Sequence, residues 1–283
     1  MASSSPKTTR LATAGSSSML ALVLLSGCSS DDGGRVVGQT QSLDGPYALG
    51  QNLRIVSPHG DVAVRAGTSA TEVTASFTPF VDEAPSTDEA DQAMASGLTL
   101  DVDSSGNTIV VSVTIAAGAL AGLGADVAVG LPLGFDGGFE IRQSDGVLDA
   151  DLRAGTPAYT TVQSARGAVA VQGAAGQLDI GVGAGACTVA VQAWSTSDGS
   201  VEVSAGDLAF AVGAGLSGNI SARAGDPATG QVLGPDPLPT GWTETAVATN
   251  EKSYAFGANA DQMGSVALRT DAAVSTIAVI EQP

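Results

Sequence analysis

The chain reads as all-β, a single-domain β-solenoid of short Gly-x-Val-x-Val units with one short helix near 86–96. Three observations point there. Glycine followed by apolar residues at alternating positions recurs along the chain, with about 20 residues between equivalent units. Glycine is abundant at 37 residues, which supplies the turns that separate short strands. Aromatic residues are only 4%, too few to fill the gap of about 10 Å between the sheets of a sandwich. Stacked coils instead tolerate thin layers of Val, Ala, Leu and Ile. The alternative is a β-sandwich, whose hairpins also produce short strands and frequent glycine turns.

The repeated units are Gly60-Asp61-Val62-Ala63-Val64, Gly146-Val147-Leu148-Asp149-Ala150 and Gly167-Ala168-Val169-Ala170-Val171. Gly176-Gln177-Leu178-Asp179-Ile180, Gly199-Ser200-Val201-Glu202-Val203 and Gly206-Asp207-Leu208-Ala209-Phe210 continue the series. Gly218-Asn219-Ile220-Ser221-Ala222 and Gly264-Ser265-Val266-Ala267-Leu268 complete it. Gly167 and Gly176 are too close to open successive coils, so some of these glycines mark corners within one coil.

Around the first unit, residues 52–80 alternate as strands through Leu53, Ile55, Val62, Val64, Val73, Ala75 and Phe77. The run 85–95 reads as a short helix, with Ser86 or Thr87 to cap it and acidic residues in its first turn. Leu98–Asp103, a Ser-Ser-Gly-Asn turn and Ile109–Ile115 form a hairpin. Asp226–Trp242 carries Pro227, Pro235, Pro237 and Pro239 and reads as an irregular excursion, followed by closing strands at 245–257 and 264–280.

The N-terminus has its own pattern. Lys7 and Arg10 precede Met19-Leu20-Ala21-Leu22-Val23-Leu24-Leu25, an apolar run far short of the roughly 20 residues that span a bilayer. Leu25-Ser26-Gly27-Cys28 then resembles the lipobox of bacterial lipoproteins, in which the cysteine is acylated (commonly with palmitate) and the bond before it is cut. The expected organisation is a signal peptide at 1–27, lipidated Cys28 with a flexible tether over 28–44, and the solenoid domain at 45–283. Ser30 is not the Asp associated with inner-membrane retention, which favours the outer membrane or the cell surface.

The net charge of −18 becomes −20 once Lys7 and Arg10 leave with the signal. A surface this acidic repels phosphate backbones, so nucleic acid is not an expected partner. Cys187 is then the one remaining thiol, in an alternating stretch that points it inward as an inert core residue.

Candidate chemistry is sparse. His59 is the only histidine and sits in the turn Pro58-His59-Gly60, where it reads as a solvated turn residue rather than a general base. Lys252, the one lysine after the signal, reads as solvating a loop. Gly122-Leu123-Gly124-Ala125-Asp126-Val127-Ala128 faintly matches a calcium-binding β-roll repeat, which needs tandem copies, so no metal or other cofactor is expected. Polysaccharide-active enzymes also use β-helices, and Asp149, Asp151, Asp179, Glu202 and Asp207 are acids beside strands. Asp149 and Asp151 alternate with Leu148, Ala150 and Leu152, the pattern of an outer solvated face. Trp194 and Trp242 are the only indoles available to stack on sugar.

The stretches Ser57–Val64, Gln143–Val147, Thr196–Val203 and Leu268–Val279 resemble a family of bacterial envelope proteins, adhesin-like with a domain of unknown function. The resemblance spans about 45–281. It implies a β-solenoid in an envelope setting, often behind a lipoprotein signal, and it supplies no catalytic residue. The expected function is a non-catalytic, lipid-anchored, extracytoplasmic interaction module, its partner an envelope protein or glycan. The alternatives are a carbohydrate-active enzyme on the same scaffold, or a component of envelope-stress sensing.

Overall fold

The computed structural model describes residues 34–282 and the backbone of 30–31. The export signal at 1–27 and the lipidation site Cys28 lie outside the described residues. The first strands are β1 (Ser30–Asp31), β2 (Arg35–Val37), β3 (Gln41–Pro46), β4 (Asn52–Ser57), β5 (Val62–Ala66) and β6 (Glu72–Val81). Helix α1 (Thr87–Gly97), hairpin β7 (Leu98–Asp103) and β8 (Thr108–Ile115), and β9 (Leu123–Leu131) follow. Next come β10 (Phe139–Asp145), β11 (Leu148–Asp151), β12 (Tyr159–Arg166), β13 (Val169–Ala174), β14 (Gln177–Ala184), β15 (Cys187–Val191), β16 (Gly199–Ala205) and β17 (Leu208–Gly213). The last are β18 (Gly218–Arg223), β19 (Gln231–Leu233), β20 (Trp242–Ala248), β21 (Glu251–Phe256), β22 (Ser265–Thr270) and β23 (Thr276–Gln282).

These strands form a 12-stranded sheet, here sheet A, and an 11-stranded sheet, here sheet B. Each coil sends one strand through sheet B and the next through sheet A. Coils then stack in parallel register. Ile141 pairs with Ile55 on one side and Val162 on the other, while Ala150 pairs with Val64 and Val171. Among the described residues, antiparallel hairpins, which a sandwich would use between neighbours, occur only towards the ends of the stack, as in β7–β8 and β20–β21.

The stacking order departs from chain order at both ends. It runs β8/β9, β4/β5, β10/β11, β12/β13, β14/β15, β16/β17, β22/β23 and β18/β19. The first coil in sequence is therefore second in space, and the last in sequence is inserted before the last in space. Eight coils spaced by about 4.8 Å give a stack roughly 34 Å long.

Alternation puts one set of side chains inside. Val162, Val169, Val171, Ile180, Val182, Val189, Val201 and Val203 fill the middle coils and are all buried. Burying one such side chain contributes about 1.5–3 kcal/mol. The expectation of a core without large rings holds only in this middle. All six phenylalanines are buried. Phe77, Phe80, Phe135 and Phe139 lie towards one end, and Phe210 and Phe256 towards the other.

The corner from sheet B to sheet A explains the glycines. Gly60, Gly146, Gly167, Gly185 and Gly206 stand above one another there, with φ between +111° and +146°. A Cβ on Gly167 would come within 1.8 Å of the carbonyl oxygen of Gly146, so neither conformation nor space admits a side chain. The other repeat glycines have different posts. Gly176 turns the opposite corner, whereas Gly199, Gly218 and Gly264 sit at or just before the starts of strands in sheet B.

Aspartate at the position after the corner residue, a glycine before Asp61 and Asp207 and Ala125 before Asp126, ties coils together. Asp61 Oδ1 accepts the Val147 N–H at 2.7 Å, Asp126 Oδ1 accepts the Asp61 N–H at 2.9 Å, and Asp207 Oδ1 accepts the Thr276 N–H at 2.8 Å.

Helix α1 forms where the sequence places it. Ser86 is its N-cap and accepts the Glu89 N–H at 3.2 Å, while Asp88 and Glu89 complement the dipole. Its buried Ala90 packs with Val81 and Leu123 against the end of the stack formed by β6 and β9.

Candidate functional site: a groove across sheet B

The outward residues of sheet B follow from the same alternation that fills the core. In-register pairing places Arg142, Gln163, Gly181, Glu202, Arg269 and Arg223 in one row across β10, β12, β14, β16, β22 and β18. Along part of this row runs a groove of about 750 Å³. Its floor is made by Gly181 and Gly183 of β14, between Gln163 and Ala165 of β12 and Glu202 and Ser204 of β16. A Cβ on Gly183 would lie 2.4 Å from the Ala165 carbonyl oxygen, so the backbone here is bare and closely packed. Glycine inside a strand weakens it and marks places where another backbone or a ligand approaches closely. One end of the groove is apolar, walled by Val56, Pro58 and Ile115.

Arg142 is held by a buried carboxylate. Glu140 is only 8% exposed and takes Arg54 Nε and Arg142 Nε at 2.7 Å each. A buried charge is tolerated when opposite charges and hydrogen bonds surround it, as both guanidinium groups do here.

The acids noted in the sequence separate onto different faces. Asp149 bonds Arg65 and Asp151 bonds Arg153, both on the outer side of sheet A. The Arg153 hydrogen bond is the main reason the Asp151 carboxyl sits below the usual range. Asp207 is used by the coil-to-coil bond to Thr276. Asp179 and Glu202 are on sheet B, and of the five only Glu202 lines the groove. Glycoside hydrolysis by the common route needs two carboxylates flanking one bond, and the groove lining supplies one.

His59 is not simply solvated. Its ring lies against Phe80, with Nε2 3.2 Å from Asp82 Oδ2 and Nδ1 3.8 Å from Asp145 Oδ2. Arg35 completes that cluster, stacked over Phe80 and bonded to Asp126 at 2.9 Å. Lys252 also departs from the sequence reading. It lies on strand β21 and pairs with Glu244 at 3.0 Å. Cys187 is buried, and burial pushes its thiol up to about 12. Trp194 and Trp242 both pack on Phe256, with centroids 5.0 and 4.7 Å away, so they build the core near one end. Among the described residues no cluster of three or more His, Cys, Asp or Glu is placed to hold a metal ion, and Asp126 of the faint β-roll match instead bonds Arg35 and the Asp61 amide.

Sequence reasoning passed over the groove because its signal is an absence of side chains. Gly181 and Gly183 lie outside the corner units, and two glycines at alternating positions within Ile180–Val182–Ala184 were the available clue.

No protein-family model and no curated protein matches the chain. Solved structures similar to it include a candidate cell adhesion protein from Clostridium sporogenes, 11% identical, covering 86% of this chain and 100% of that chain at a TM-score of 0.47. A candidate adhesin from Bacteroides fragilis is 11% identical over 85% of this chain and 97% of its own, with a TM-score of 0.33. Another from Parabacteroides distasonis is 12% identical over 87% and 98%, with a TM-score of 0.27.

Proposed function

We propose that this chain is a non-catalytic, adhesin-like interaction module of the bacterial envelope, anchored by lipid on Cys28 and working through the groove of sheet B. The groove carries the reading. It crosses several strands, offers hydrogen-bonding groups from Gln163, Ser144 and Ser204, and ends on an apolar wall. Its lining contains no aromatic side chain, so it lacks the stacking platform a glycan would use. An extended polypeptide segment of a protein partner fits better, with backbone amides met by the polar rows and an apolar side chain on Val56 and Pro58. The anchor reading rests on the n-region, apolar run and Leu25-Ser26-Gly27-Cys28 in the correct order.

The test is photocrosslinking in cells of the native host from Gln163 or Ser204, with Thr188 on the outer face of sheet A as control. A discrete protein adduct from the groove positions alone, lost when Ala165→Trp fills the groove from an exposed lining position, supports the reading. Equal adducts from both faces, or adducts untouched by Ala165→Trp, overturn it. Fractionation of Cys28→Ala tests the anchor separately: release from membranes is expected, and retention would refute lipidation.

A further inference from the structure

Beyond the groove, the row across sheet B passes through two arginines side by side before it reaches Glu251 of β21, which is in register with Arg223. Arg223 of β18 and Arg269 of β22 are in-register partners on adjacent parallel strands, about 4.8 Å apart. Like charges directly opposite one another destabilise a sheet. In a chain of net charge −18, nearby carboxylates would be the ordinary remedy. Glu251 stands opposite Arg223 on β21, yet among the described residues Arg223 makes no ion pair, and Arg269 reaches only Glu202, at 4.0 Å between two half-exposed groups.

The two side chains border a cleft of about 430 Å³ whose other charged members are Asp226 and Asp271. Neither aspartate is ion-paired with either arginine. Asp226 spends Oδ1 on the Ala228 N–H at 2.7 Å, closing a turn, and Asp271 is tied through its backbone N–H to Val203. The arrangement is polarised. The guanidinium groups rise from strands, and the carboxylates come from the corner segments that follow them. Behind the cleft, the Gly225 N–H donates to Thr270 Oγ1 at 3.3 Å, and Thr270 bonds Ser275 at 2.6 Å, which fastens the two coils and holds the walls in place.

Two positive and two negative groups facing one cleft without neutralising each other form a receptor for a ligand carrying both signs. We propose that this cleft binds the zwitterionic head of an α-amino acid, Arg223 and Arg269 taking its carboxylate and Asp226 and Asp271 its ammonium group. A simple anion would meet the carboxylates unfavourably, and a simple cation the arginines. The inference does not depend on what occupies the groove.

The experiment is calorimetric titration of the purified full chain with alanine, Nε-acetyl-lysine, acetate and methylammonium. Alanine should bind at least ten-fold more tightly than either acetate or methylammonium. Nε-acetyl-lysine carries the same head on a longer stem. Its binding would extend the site to pendant amino-acid groups, and its rejection would restrict the site to small free amino acids, with the zwitterion reading upheld in both cases by alanine. Arg223→Gln and Asp271→Asn should each weaken alanine binding ten-fold or more while leaving the melting temperature unchanged, since both side chains are exposed. Acetate binding as tightly as alanine would make this an anion site and overturn the proposal. So would binding that survives Asp271→Asn, or no heat from alanine at tens of millimolar.

Discussion

Asp207 accepts the backbone N–H of Thr276 at 2.8 Å across 69 residues of sequence. This bond joins β17 to β23 and so fastens the inserted coil onto its neighbour. Replacing Asp207 by Ala should cost about 1 kcal/mol, with Asp207→Asn losing less because it keeps an acceptor. Urea denaturation of the two variants checks this; equal losses would show that the carboxyl oxygen does not matter.

The same position in other coils can be improved. Val62 N donates to the Val147 carbonyl and Val169 N to the Ala186 carbonyl, so Ala168 stands over Ala186 as Asp61 stands over Val147. Ala168→Asp should therefore accept the Ala186 N–H and be neutral or stabilising by about 0.5–1 kcal/mol. Val169→Asp, one residue later and buried, should destabilise by about 4 kcal/mol. Melting curves of this adjacent pair test the coil register directly, and similar effects of both would refute it.

Gly167→Ala meets the Gly146 carbonyl and needs φ of +111°. A loss of at least about 2 kcal/mol is expected. Gly215→Ala is the control for a positive φ without crowding, since nothing lies within 4 Å of a Cβ there, and it should lose less. Chemical denaturation of both variants measures the difference.

Burial raises the Cys187 thiol from 9.0 to about 12. The folded state thus keeps its proton where the unfolded chain gives it up. This contribution to stability is complete below pH 9 and is lost as pH rises towards 12. Stability measured over that interval should fall less steeply for Cys187→Ala than for the parent. Iodoacetamide at pH 8 should leave the native thiol unmodified and label it on unfolding.

Much of this fold was legible because alternation and glycine are local signals. The helix after Ser86, the hairpin from Leu98 to Ile115 and the inward set of Val169, Val171 and Cys187 all follow from residues close in sequence. Insertion of β22 and β23 between β16/β17 and β18/β19 was not, since parallel pairing is chosen by coils with nearly interchangeable Val and Ala faces. The same reason hid the environment of His59. Its turn is visible in Pro58 and Gly60, but Asp82 and Asp145 arrive from other coils. Lys252 was misread for want of knowing that Glu244 is brought beside it by the β20–β21 pairing.

The interleaved ends bear on how the molecule would meet a pulling force. In a stack wound strictly in chain order, the outermost coil has one neighbour and can peel away first. Here the first and last coils in sequence, β4/β5 and β22/β23, each lie between two others. Tension that reaches either of these coils, on the N-terminal side after β1–β3 have left their antiparallel pairing, must shear two parallel interfaces at once. A protein tethered by one end and gripped elsewhere would gain from such a seam: it yields in a single abrupt event rather than by successive fraying.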